Sequence, residues 1–174
     1  MFNRIVLFFV FLGIFSASFA IGAEVKVSEE ESKIILEQFE TLIGNIDAIG
    51  IFSHNTTLAL PMFIPGFGIA WGAFAAFSTG IAFSVLKDAS PMLANVPSLT
   101  ILFMSPFGLM EVAAYSIAMS RSYMILHKMI KRMPIRQDYR IIGIEIAILV
   151  GLLLTGGFVE YYFIENIPTD SPKI

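Results

Sequence analysis

Glu111 and Glu160 each stand inside a long apolar run, the first flanked by Met110 and Val112, and His54-Asn55 interrupts another such run. An ionisable group at membrane depth costs about 2.5–3.5 kcal/mol on insertion scales, so each needs a partner or a purpose. If Asn55, Glu111, Glu160 and His54 meet, two kinds of chemistry are open to them. Carboxyl groups facing Asn55 or one another can exchange hydrogen bonds and tie helices together without reacting. The same cluster can bind a proton or a cation in transit. Glu145 reads more simply as an interfacial charge near Arg140.

Covalent catalysis is harder to assemble. A Ser or Thr nucleophile needs a base and an orienting group, whereas His54 and His127 fall on opposite sides of the membrane in the topology given below. No HExxH, paired aspartates or phosphate-cradling glycine loop occurs. Cysteine is absent, which excludes disulfides, thiolate metal sites and cysteine nucleophiles. The expectation is therefore no catalytic residue, no metal and no cofactor. Asn55-Thr56-Thr57 is formally a glycosylation sequon, placed too deep to be modified. The 17 Phe residues are spread through the apolar runs and suit packing or lipid contact rather than a nucleic-acid platform.

These residues must be carried by helices in lipid. Hydrophobic residues make up 56% of the 174 and the mean hydropathy is +0.79, more apolar than one soluble core needs. Residues 1–23 read as a transmembrane helix or, given Arg4 and Ser18-Phe19-Ala20, a cleavable signal peptide. Residues 24–47 read as an outer amphipathic segment: Ser28 precedes Glu29, Glu30 and Glu31, acids that suit a helix N-terminus. Ile34, Ile35, Phe39, Leu42, Ile43 and Ile46 follow at helical spacing. Residues 48–164 form a helical membrane bundle, and 165–174 a short tail.

Between Asp47 and Lys87 no side chain is formally charged, a length close to twice a hydrocarbon core, so two spans share it. Their hairpin is expected near Pro65-Gly66. The region from about Ser98 to Leu126 is interrupted at Ser105-Pro106, either as a kink or as the true start of the next helix. The last span covers about Arg140 to Ile164. The expected fold is all-α, a polytopic transmembrane helix bundle of about five spans with one outer amphipathic helix.

Lys128, Lys131, Arg132, Arg136 and Arg140 oppose only Asp138 in the 127–140 loop, which places that loop and the N-terminus in the cytoplasm and the C-terminus outside. Asn55, His54, Glu111 and Glu160 then share the outer half of the bundle. Small residues recur at every fourth position: Gly68, Gly72, Ala76, Gly80 and Ser84 in the third span, Gly143, Ala147, Gly151 and Thr155 in the fifth, and Ala114, Ala118 and Ser122 in the fourth. Lipid offers no hydrophobic preference for helix contact, so these stripes are expected to be the buried seams.

Four segments resemble the stage II sporulation protein M family of small polytopic membrane proteins over about residues 28 to 164. They are Phe52-Ser53-His54-Asn55, Thr79-Gly80, Ser105-Pro106-Phe107-Gly108-Leu109-Met110-Glu111 and Phe158-Val159-Glu160. The resemblance matches Glu111 and Glu160 to family positions. Phe107 stands where the family usually has His, and Thr79 where it has Asn, which weakens a proton-transfer role. It implies a scaffold that anchors partners in envelope remodelling, not a hydrolase.

The functional expectation is a non-enzymatic scaffold or accessory subunit of the cell membrane. Its partners would be the lipid bilayer and other membrane or envelope proteins, with a homo-oligomer also allowed. The modest charge of -3 and a single basic loop argue against nucleic acid. The alternative is a small transporter or channel using the intramembrane carboxylates.

Overall fold

The computed structural model describes residues 3–43, 46–90 and 93–166, without the side chains of residues 40, 42 and 43. The side chains of Leu42 and Ile43 and the tail beyond residue 166 thus lie outside the described residues. Within these bounds the chain is all-helical. The helices are α1 (Arg4–Ala23), α2 (Glu29–Ile43), α3 (Ala48–Ala59), α4 (Phe67–Ala89), α5 (Ser98–Met104), α6 (Pro106–Ile130) and α7 (Tyr139–Asn166).

Helix boundaries follow local chemistry. The Asn3 side chain caps α1 by accepting the Ile5 amide at 3.0 Å. Ser28 and Glu31 form a reciprocal capping box at α2: Ser28 Oγ accepts the Glu31 amide, while the Ser28 hydroxyl and amide donate to the Glu31 carboxylate. Those two donors hold the exposed Glu31 carboxyl below its ordinary pKa.

The hairpin turns at Pro65-Gly66, with Gly66 at φ 78° before α4 begins. A Cβ there would be strained, and glycine enters this left-handed region at no steric cost. Ser105 is extended ahead of Pro106, as a pre-proline residue prefers, and its Oγ accepts the Gly108 amide at 3.1 Å. Pro106 thus starts α6 afresh, and α5 lies at 89° to it.

Three helices are long and apolar enough to cross a membrane: α1, α4, and α7 with its preceding 3₁₀ turn (Arg136–Asn166). The bent pair α5 and α6 makes a fourth if taken as one broken span. The other half of the uncharged stretch is shorter than expected. α3 has 12 residues, about 18 Å of rise, and the 3₁₀ turn Leu60–Phe63 completes its descent.

α1 packs on α4 and α6, and α7 packs on α6 and α3. The buried face of α1 is Leu7, Phe11, Phe15 and Phe19, one residue per turn, continued by Gly22. The small-residue stripe of α4 is a buried seam as expected: Gly68, Gly72, Ala76 and Gly80 are all buried. A Cβ on Gly72 would meet Met119 Sδ at 2.5 Å, and one on Gly80 would overlap the Phe19 carbonyl and reach the Ala23 nitrogen at 2.8 Å. Ala114, Ala118 and Ser122 are fully buried on α6.

The α7 stripe is different. Gly143, Ala147, Gly151 and Thr155 are exposed, with nothing within 4 Å of a Cβ on Gly143 or Gly151. The buried face is instead Glu145, Leu149, Leu153, Gly156 and Gly157. It starts two residues along, about 200° around the helix. The reason is electrostatic: burying Glu145 among its cations fixes the rotation, and small-residue packing is too weak to oppose it. Gly157, unremarked in the sequence, lets α3 approach, since a Cβ there would lie 2.9 Å from the Ala48 carbonyl oxygen.

Candidate functional site

Two polar clusters lie within the bundle. In the first, α3 and α6 bring Asn55 to Glu111, whose Oε1 accepts the Asn55 side-chain amide at 2.6 Å. Glu160, on α7, is half-buried. Tyr115 of α6 lies on the Glu111 side of that helix. It stands one turn after Glu111 on the same helix face, is 6% exposed and rests its ring on Phe15 at 5.3 Å.

Asn55 and Glu111 therefore meet, whereas His54 does not join them. Successive helical residues differ by about 100°, so turning Asn55 inward leaves His54 exposed. Tyr115 was overlooked in the sequence, although its position four residues after Glu111 is a readable sign.

The second cluster lies near the 127–140 loop and corrects the reading of Glu145 as a charge beside Arg140. Glu145 is buried, and Arg140 is exposed. Arg121 grips the Glu145 carboxylate with two bonds, Nε to Oε2 at 2.5 Å and Nη2 to Oε1 at 2.7 Å. From α1, Arg4 Nε donates to Oε1 at 2.8 Å, while its other nitrogens reach the Ser120 hydroxyl and, at 3.2 Å, the Ile117 carbonyl.

Lys128 donates to both oxygens of Asp138, at 2.6 and 2.8 Å, and Arg121 Nη1 lies 3.8 Å from Asp138. The network joins α1, α6, α7 and the loop. Arg121 is only 2% exposed, and a bidentate pair adds geometric specificity to charge. Sequence carried one sign of it: Arg121 is the one base inside its apolar run, and Glu145 is an acid near the same end of the next, a pairing that burial favours.

Chemically, the first cluster is held by the Asn55–Glu111 hydrogen bond, and the second sets three cations, Arg4, Arg121 and Lys128, on two carboxylates, Glu145 and Asp138. Among the described residues no three His, Cys, Asp or Glu side chains gather to hold a metal. The one buried side-chain oxygen without a protein partner among them is Thr56 Oγ1. The Tyr123 and His127 rings stack at 6.2 Å, away from the carboxyl cluster on α6. No family model matches the sequence, and no curated protein and no solved structure is significantly similar to it.

Proposed function

We propose that this chain is a non-enzymatic membrane scaffold or accessory subunit that positions a protein partner against the outer face of α7. The observation that carries this reading is the open stripe Gly143, Ala147, Gly151 and Thr155. The chain closes an equivalent stripe in α4 against its own helices and leaves this one facing outward. Small residues at fourfold spacing are the surface on which a second transmembrane helix packs closely.

The basic loop and N-terminus then face the cytoplasm and the C-terminus lies outside, by the excess of Lys and Arg between residues 127 and 140. In this topology α3 with its 3₁₀ turn is a short crossing that supplies Asn55 at depth and brings Ile64 and Gly66 to Ser122 near the basic-loop end. The resemblance to the stage II sporulation protein M family suggests an envelope-remodelling partner.

Affinity purification of the full chain in mild detergent tests the reading. The expected result is a co-purifying membrane protein, lost when Gly143→Leu and Gly151→Leu are combined, with the melting temperature unchanged. Recovery of the chain alone, together with solute flux by that chain in proteoliposomes, would overturn it.

The Asn55 and Glu111 pair favours a second reading, a small transporter or channel. Glu111→Gln decides it. The substitution keeps an acceptor for Asn55, so the bundle stays folded, and ion or solute flux in proteoliposomes should fall at least tenfold if the carboxyl carries cargo, a loss of about 1.4 kcal/mol. Unaltered flux removes this reading.

A further inference from the structure

Beside the charge network a cleft of about 280 Å³ opens on the side of the bundle. Ile5 and Phe8 of α1, Ile117 of α6 and Ile148 of α7 form its apolar walls, and Arg4 and Glu145 close one end. Ile5 is 65% and Ile148 48% exposed. The cleft is slightly smaller than the ~300 Å³ at which pockets for compact ligands begin. Such a narrow, open-sided apolar channel suits one hydrocarbon chain rather than a whole small molecule.

The end of the cleft sets its depth. α1 has 20 residues, about 30 Å, which matches a hydrocarbon core. Arg4 is the first of them, at the level where hydrocarbon gives way to headgroups. α7 begins at Tyr139 and α6 ends at Ile130, so both continue past this level, and Arg140 stands about 7.5 Å beyond Glu145 along α7. Arg140, Ile144 and Ile148 recur at fourfold spacing on one face and all are exposed.

Charge at this end is unbalanced. Three cations, Arg4, Arg121 and Lys128, share two carboxylates, Glu145 and Asp138. Arg4 Nη1 donates to Ser120 Oγ. Its side chain is 30% exposed, so the residue is not sealed off inside the bundle. Exposed Lys131, Arg132 and Arg136 make the surroundings positive.

We propose that this cleft seats one acyl chain of an anionic phospholipid from the leaflet on the basic-loop side, with its phosphate held between Arg4 and Arg140. The lipid fills the gap between α1 and α7 and supplies the anion that the network lacks. Basic pockets between membrane helices recognise anionic headgroups by the same combination of charge and apolar wall.

Native mass spectrometry tests this on the full chain purified from equal mixtures of phosphatidylglycerol and phosphatidylcholine. One phosphatidylglycerol should be retained in preference to phosphatidylcholine. Ile148→Trp, which fills the cleft from an exposed position, should abolish the preference. Arg140→Gln should weaken it about fivefold, the worth of one basic residue near an anionic surface. Arg140 lies outside the buried network, so that variant keeps the test decisive even if Ile148→Trp fails to fold. Equal retention of the two lipids, or wild-type retention by folded Ile148→Trp or by Arg140→Gln, would overturn the proposal. Displacement of the lipid by free glycerol phosphate would also overturn it, because the headgroup alone would then be the ligand.

Discussion

Glu145→Leu is expected to destabilise the bundle by about 3–5 kcal/mol, the usual cost of removing one member of a buried ion pair. The loss is not that of one attractive contact. Arg121, 2% exposed, would keep its charge in an apolar setting with only Asp138 at 3.8 Å in reach. Arg4 would lose its carboxylate partner. Thermal or denaturant unfolding in mixed micelles measures the cost.

The double variant Glu145→Leu with Arg121→Met supplies the control, since replacing a buried pair with apolar residues of similar volume is often neutral or stabilising. It should recover most of the stability, leaving mainly the unpaired Arg4, which can reach water from its half-buried position. A single variant as stable as wild type would mean that the network does not hold α1, α6 and α7 together.

The second large effect is expected at Gly80. Overpacking usually costs about 1–3 kcal/mol, occasionally more, and Gly80→Val should reach the top of that range. The obstacles to a new side chain are the Phe19 carbonyl and the Ala23 nitrogen, which are backbone and cannot rotate away. α1 and α4 would have to separate along the whole seam that Gly22 and Gly80 share.

Gly151→Val is the matched comparison in another span. Nothing lies within 4 Å of its Cβ position, so its effect on unfolding should remain within about 0.5 kcal/mol, as for other surface changes. Equal destabilisation by the two substitutions would contradict both the α4 seam and the outward setting of the α7 stripe.

The helices, the turn at Gly66 and the acidic start of α2 after Ser28 were legible because each depends on a few neighbouring residues, whereas Ser105-Pro106 was open to a kink or a fresh start. The meeting of Asn55 and Glu111 was legible too, since polar side chains at one depth in an apolar bundle have few other partners. His54 was misplaced for want of a rotational argument. Glu145 was misread because its partners Arg4 and Arg121 lie 141 and 24 residues away in sequence.

By itself the sequence determined that the chain is a set of apolar helices and where most of them begin and end. The periodicity, prolines, glycines and caps that decide those matters act over one or two turns. Only the tertiary structure decided how far α3 reaches and which side of α7 turns inward. An amphipathic soluble helix announces its buried face, but a helix apolar on every side does not. Its rotation is chosen by distant partners, here the two arginines around Glu145 and the α3 backbone against Gly157.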